Sequence, residues 1–130
     1  IGLYDAVMLK ENHIRVAGTV AEAIARARAA QPGLPLIVEV ETLDQLREAL
    51  ASGCDRILLD DFAADDRREA VRIARAAPFR GRIPLEVSGG VGLDGLRAIA
   101  ADGVDFVSIG ALTKHVRAID LSMKLGPPPA

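Results

Sequence analysis

The sequence predicts an α/β fold in which parallel strands alternate with helices, forming part of an open, incomplete TIM-like barrel. Three observations carry this expectation. Short aliphatic runs alternate with alanine-rich amphipathic stretches, which implies parallel strand pairing with helices outside. The segments Ala51–Asp60 (ASGCDRILLD) and Ala101–Gly110 (ADGVDFVSIG) repeat one helix-to-strand turn, so the βα unit recurs. Finally, each predicted strand has one purely aliphatic alternate set, while the other set turns polar toward the C-terminal end.

The elements follow in order. Predicted strands are Ala6–Lys10, Leu36–Val40, Arg56–Asp60, Leu85–Ser88 and Phe106–Gly110, each short, apolar and followed by a polar or glycine-bearing turn. Two of the intervening helices open with capping-box spacing, Thr19-x-x-Glu22 and Thr42-x-x-Gln45. Gly53 and Gly103 stand where a left-handed residue ends a helix. Roughly five βα units fall short of a closed eight-stranded barrel, which takes about 200 residues or more. Residues 1–125 are read as this partial barrel and 126–130 as a Pro-rich tail. The absence of an initial Met suggests a piece of a longer protein.

Strand parity favours a barrel over an open doubly wound sheet. Val7, Val38, Leu59 and Val87 belong to the aliphatic set. Lys10, Glu39, Asp60, Glu86, Ser88 and Ser108 belong to the other. A sheet covered by helices on both faces would bury that polar set at high cost. In a barrel it lines the lumen, whose C-terminal mouth is where active sites are built.

Composition narrows the function classes. Half of the 130 residues are apolar, enough for one sizeable core, and with one Tyr, three Phe and no Trp aliphatic residues must fill it. A net charge of −2 and scattered basic residues argue against nucleic acid as a partner. No apolar run approaches the roughly 18 residues that suggest a membrane span. Cys54 is the single cysteine, read as a small core residue, and a reducing, cytoplasmic setting suits it.

Two glycine turns, Ser88-Gly89-Gly90 and Ile109-Gly110-Ala111, follow consecutive strands and together suit a phosphate cradle of backbone N–H groups. Lys10 ends a strand where its ammonium can meet an anion. Glu39 and Asp60, on neighbouring strands, either hold a divalent cation, as Mg²⁺ is held by one or two carboxylates plus phosphates, or pair with Lys10. Asn12 and His13 either contact substrate or tie down the loop. His115 reads as helix surface, and Asp65–Arg68 as a solvated helix face.

The segments DAVMLKENHI, VEVETLDQLREAL, ILLDDF, LEVSGGV and GVDFVSIGALTKHVRAIDLSMKL resemble, in order, those of quinolinate phosphoribosyltransferases. The resemblance covers nearly the whole chain. It implies transfer of phosphoribose from phosphoribosyl pyrophosphate to quinolinate, with Mg²⁺, yielding nicotinate mononucleotide, pyrophosphate and CO₂ in NAD biosynthesis. Carried over by motif, Lys10 would bind a substrate carboxylate or pyrophosphate. Glu39 and Asp60 would bind ribose hydroxyls and the metal–pyrophosphate, and Ser88, Gly89, Gly90 and Gly110 the 5′-phosphate. Asp61 departs from the family's usual Asn. The family's N-terminal domain, its early barrel strands and their cationic quinolinate pocket lie outside this sequence. The expectation is a homo-oligomer with little transferase activity as the isolated chain. Two other readings are a molybdenum-operon homologue with a different acceptor, and a non-catalytic phosphate-binding fragment.

Overall fold

The computed structural model describes residues 4–126. Five parallel strands form one sheet in the order of the chain: β1 (Val7–Leu9), β2 (Leu36–Val40), β3 (Arg56–Asp60), β4 (Leu85–Ser88) and β5 (Phe106–Val107). The helices are α1 (Glu11–Ala17), α2 (Val20–Ala30), α3 (Leu43–Ser52), α4 (Ala64–Arg75), α5 (Leu93–Ala101) and α6 (Ala111–Lys114). Sequential parallel order with every return by helix is the winding of a barrel wall. The wall is open at β1 and β5.

Capping explains where the helices start. The Thr19 hydroxyl accepts from the Glu22 N–H at 3.1 Å, and the Thr42 hydroxyl accepts from the Gln45 N–H at 3.2 Å. The Gln45 side chain reaches back to the N–H of Glu41, one residue before the cap. Gly18, at φ 105°, separates α1 from α2 inside what periodicity alone presents as one connection.

The repeated turn has a hydrogen-bonding purpose. Asp55 and Asp105 each grip the first residue of the preceding strand from both sides. Their N–H groups donate to Leu36 O and Leu85 O, while their carboxylates accept from Leu36 N–H (2.7 Å) and Leu85 N–H (2.8 Å). An arginine from an earlier helix, Arg28 or Arg75, completes each clamp. The Leu36 N–H and then Arg28 hold the Asp55 carboxyl below its ordinary range, against burial. At Asp105 burial pushes upward, but Leu85 N–H and Arg75 outweigh it and the carboxyl again lies low.

The core lies between the sheet and the helices. Val38, Val40, Ile57, Leu59, Leu85 and Val87 are buried against Val20, Ile24, Leu46, Ala49, Ala70 and Ala74. Alanines on the helix faces let the backbones approach the sheet closely. Cys54 is buried in this layer as expected, and burial is the main reason its thiol is pushed up to about 11.

Three expectations need correction. The first strand ends at Leu9, because Lys10 is already the extended N-cap of α1. The fifth ends at Val107 rather than Gly110, since it lies at the sheet edge and has only β4 to pair with. Arg67, within the supposedly solvated Asp65–Arg68 face, is buried and bonded to half-buried Asp102 at 2.6 Å, locking α4 to the end of α5. Residues 116–126 contain no helix or strand, and of the tail only Gly126 lies within the described residues.

Candidate active site

Parity places the polar set on the face opposite the helices. In the sheet register Glu39 lies beside Leu58, and Asp60 beside Ser88. Ser108, one step beyond the last paired residue of β5, is kept in line by its N–H bond to Val87 O (2.9 Å). Asp60, Ser88 and Ser108 thus form one row across three strands. They line a cleft of about 600 Å³ together with Gly89, Gly90, Gly110, Lys114 and His115.

The turn after β4 is shaped by its glycines. Gly89 and Gly90 have φ of 85° and 55°. A Cβ on Gly89 would stand 2.8 Å from the Asp61 nitrogen, so only glycine fits there without displacing backbone. Asp61 itself has φ 53°, a conformation that Asp and Asn tolerate best, and its N–H donates to Ser88 O at 3.1 Å. Asn and Asp are therefore interchangeable there as far as the backbone is concerned. Among the described residues, the N–H groups of Gly89, Gly90, Val91 and Gly110 meet no backbone acceptor. Gly110 has ordinary helical geometry, and a Cβ there would only touch Lys114 at 3.5 Å. Its lack of a side chain keeps the cleft floor open rather than relieving strain.

The charged groups fall into three sets. Lys10 Nζ bonds Glu39 Oε2 at 3.1 Å, with Glu39 buried and the ammonium half-exposed. That bond first, and the Glu39 charge second, hold the Lys10 ammonium above its ordinary pKa. Glu86 is buried between Arg56, at 3.0 Å, and the Ser108 hydroxyl. Asp60 has no salt bridge or side-chain hydrogen bond among the described residues.

Asn12 and His13 lie elsewhere. They line an apolar groove along the β1 edge with Val7, Met8 and Val16. The His13 Nδ1 accepts from Lys10 N–H at 3.0 Å, and Asn12 donates to Glu11. His13 therefore ties down the loop that carries Lys10. Sequence reasoning left out Arg56 and Lys114. Arg56 opens its strand on the lumen parity, and Lys114 follows Gly110 by one helical turn, so both were within reach of the same parity and spacing.

Among the described residues no three His, Cys, Asp or Glu side chains gather as around a metal ion. The Asp60 carboxylate, without a side-chain partner among the described residues, and the one Glu39 oxygen left by Lys10 are hard oxygen donors of the kind that Mg²⁺ shares with phosphate oxygens. No helix of the described residues is long and apolar enough to cross a membrane.

Comparison with known proteins fits this geometry. A family model, the C-terminal domain of quinolinate phosphoribosyl transferase, matches residues 1–124. The nicotinate-nucleotide pyrophosphorylase (carboxylating) of Mycobacterium leprae is 40% identical over 126 residues, covering 96% of this chain and 43% of its own length. The rat enzyme of the same name is 37% identical over 124 residues, 92% of this chain and 40% of its own. The structure of nicotinate-nucleotide pyrophosphorylase from Francisella tularensis superposes with a TM-score of 0.85 at 47% identity, over 93% of this chain and 41% of that one. A thiamine phosphate pyrophosphorylase from Pyrococcus furiosus, at 21% identity and TM-score 0.62, shares the fold. The chain spans about two-fifths of the length of the relatives it matches.

Proposed function

Because the chain belongs to the quinolinate phosphoribosyl transferase family, as its C-terminal domain, we propose that it supplies the phosphoribose-binding wall of an enzyme acting on quinolinate and phosphoribosyl pyrophosphate. The products are nicotinate mononucleotide, pyrophosphate and CO₂, a step of NAD biosynthesis. The observation that carries this reading is the row Asp60–Ser88–Ser108 beside the unbonded N–H groups of Gly89, Gly90 and Gly110.

The chemistry suits these groups. Breaking the bond from the anomeric carbon to pyrophosphate develops positive charge on the ribose and negative charge on the leaving group. The 5′-phosphate is held by Ser88 and the glycine N–H groups, which fixes the ribose over the wall. The carboxylates of Asp60 and Glu39 face the developing ribose cation and its hydroxyls without needing to reorganise. Lys10, kept charged by Glu39, offers an ammonium to a substrate carboxylate or the pyrophosphate. Asp60 and Glu39 would hold a Mg²⁺ ion, which would supply positive charge to the leaving pyrophosphate.

Partners of this chain are then small molecules and further copies of itself. Exposure of Val116, Ile119, Leu121, Met123 and Leu125, with β1 unpaired along one side, supports a homo-oligomer. A cytoplasmic location suits both the substrates and the lone buried thiol. In the whole enzyme, Lys10→Ala or Asp60→Ala should lower turnover by at least a hundredfold, and Asp60→Ala, which strips no buried group of a partner, should move the unfolding midpoint little. Loss of stability in step with activity would assign these residues to structure alone.

A further inference from the structure

Glu86 occupies a position that the phosphoribose reading does not use. It is a buried carboxylate in the middle of the wall with two partners, one of which, Arg56, can only donate. Arg56 Nη1 donates to Oε2 at 3.0 Å, and the Arg56 guanidinium stacks on Phe106, 4.2 Å from the ring centroid. The Ser108 hydroxyl donates to Oε1. An ionised carboxylate only accepts, so the one proton of Ser108 is committed to this bond. The lone pairs that Ser108 turns to the cleft can then only accept.

We propose that Glu86 is a positioning residue that makes Ser108 an acceptor-only contact, so that this side of the cleft selects a hydroxyl-bearing sugar phosphate over a bare anion. The inference rests on the phosphate-binding reading above and deepens it. A deprotonated phosphoryl oxygen facing Ser108 would meet only lone pairs, whereas a ribose hydroxyl can donate to it. The Ser88 hydroxyl and the glycine N–H groups, on the same row and turn, remain the donors for the phosphate itself. The two halves of the cleft therefore differ in polarity, which would orient a sugar phosphate end to end.

Arg56 makes the idea testable. In Glu86→Gln the donor-only guanidinium takes the amide oxygen and leaves the NH₂ facing Ser108. The serine must then accept from that amide and turn its proton into the cleft. Sulfate, which carries no proton near neutral pH, and ribose 5-phosphate serve as probes, with binding by calorimetry on the folded 130-residue chain. Glu86→Gln should tighten sulfate roughly tenfold, the worth of one charge-assisted hydrogen bond. The double variant Glu86→Gln/Ser108→Ala should lose most of that gain. Ser108→Ala alone should weaken ribose 5-phosphate about fivefold more than sulfate. A gain that survives removal of Ser108 would reduce the effect to deleted charge and overturn the proposal. Equal weakening of both probes by Ser108→Ala would overturn it too, and that arm decides if Glu86→Gln does not fold. If the unaltered chain binds neither probe, the phosphate reading fails and this inference with it.

Discussion

Replacing Gly89 by alanine tests the turn on which the cleft depends, with Gly90→Ala as its control. Both residues have positive φ, so each alanine should cost about 1–2 kcal/mol of left-handed strain. Each also gains about 0.4–1 kcal/mol because the unfolded chain loses freedom. These effects nearly match between the two sites, and the surroundings do not. At Gly90 the nearest atom to a new Cβ is Asp61 Oδ1 at 3.9 Å, an ordinary contact. At Gly89 it is the Asp61 nitrogen at 2.8 Å, with the Cα at 3.0 Å, and this backbone is tied to Ser88 O. Moving it away should sacrifice that hydrogen bond, about 1 kcal/mol, and add strain of similar size. Gly89→Ala should therefore be less stable than Gly90→Ala by about 1–2 kcal/mol. Urea unfolding followed by circular dichroism would show this as midpoints separated by roughly 0.5–1 M, at a slope of about 2 kcal/mol/M. Coincident midpoints would refute the close approach of β4 and the β3 loop.

Arg67→Ala should destabilise the chain by about 3 kcal/mol, the low end for breaking a buried pair, because Asp102 keeps only its longer 3.5 Å contact to exposed Arg68, and Arg67→Ala/Asp102→Ala should recover much of the loss in the same urea experiment. Asp55 and Asp105 have folded-state pKa values below their ordinary 3.8, so their stabilisation is complete above that value and drains away as the pH falls below about 4. Asp55→Asn and Asp105→Asn should each flatten the acid limb of a stability–pH curve. The isolated chain should scatter light as a dimer or larger species and release little pyrophosphate from its substrates, because the wall is open at both β1 and β5. A monodisperse monomer turning over quinolinate at enzyme-like rates would overturn that expectation.

The wall was legible before any coordinates. Side chains alternate strictly along a strand, so Glu39, Asp60 and Ser88 had to share a face once the strands were parallel, and Lys10 and Ser108 continue it from just beyond their strand ends. The turn glycines and threonine caps were equally readable, because left-handed backbone and unpaired helix N–H groups are local demands. The repeated Gly-x-Asp turn was visible as a repeat, but its double grip on the preceding strand depends on where that strand lies.

Pairing between distant residues was decided by the tertiary structure alone. Arg56 and Glu86 are 30 residues apart, and only the β3–β4 register makes them neighbours. Arg67 carries the same charge as Arg68 on the same helix and both reach Asp102, but the packing of α4 against the end of α5 buries Arg67 and leaves Arg68 exposed. By sequence His13 either contacts substrate or ties down its loop, and only the turn into α1 brings its ring to the Lys10 N–H. Local periodicity determines which face a side chain takes, whereas the energy of a charge depends on neighbours and burial that arise only when the elements pack.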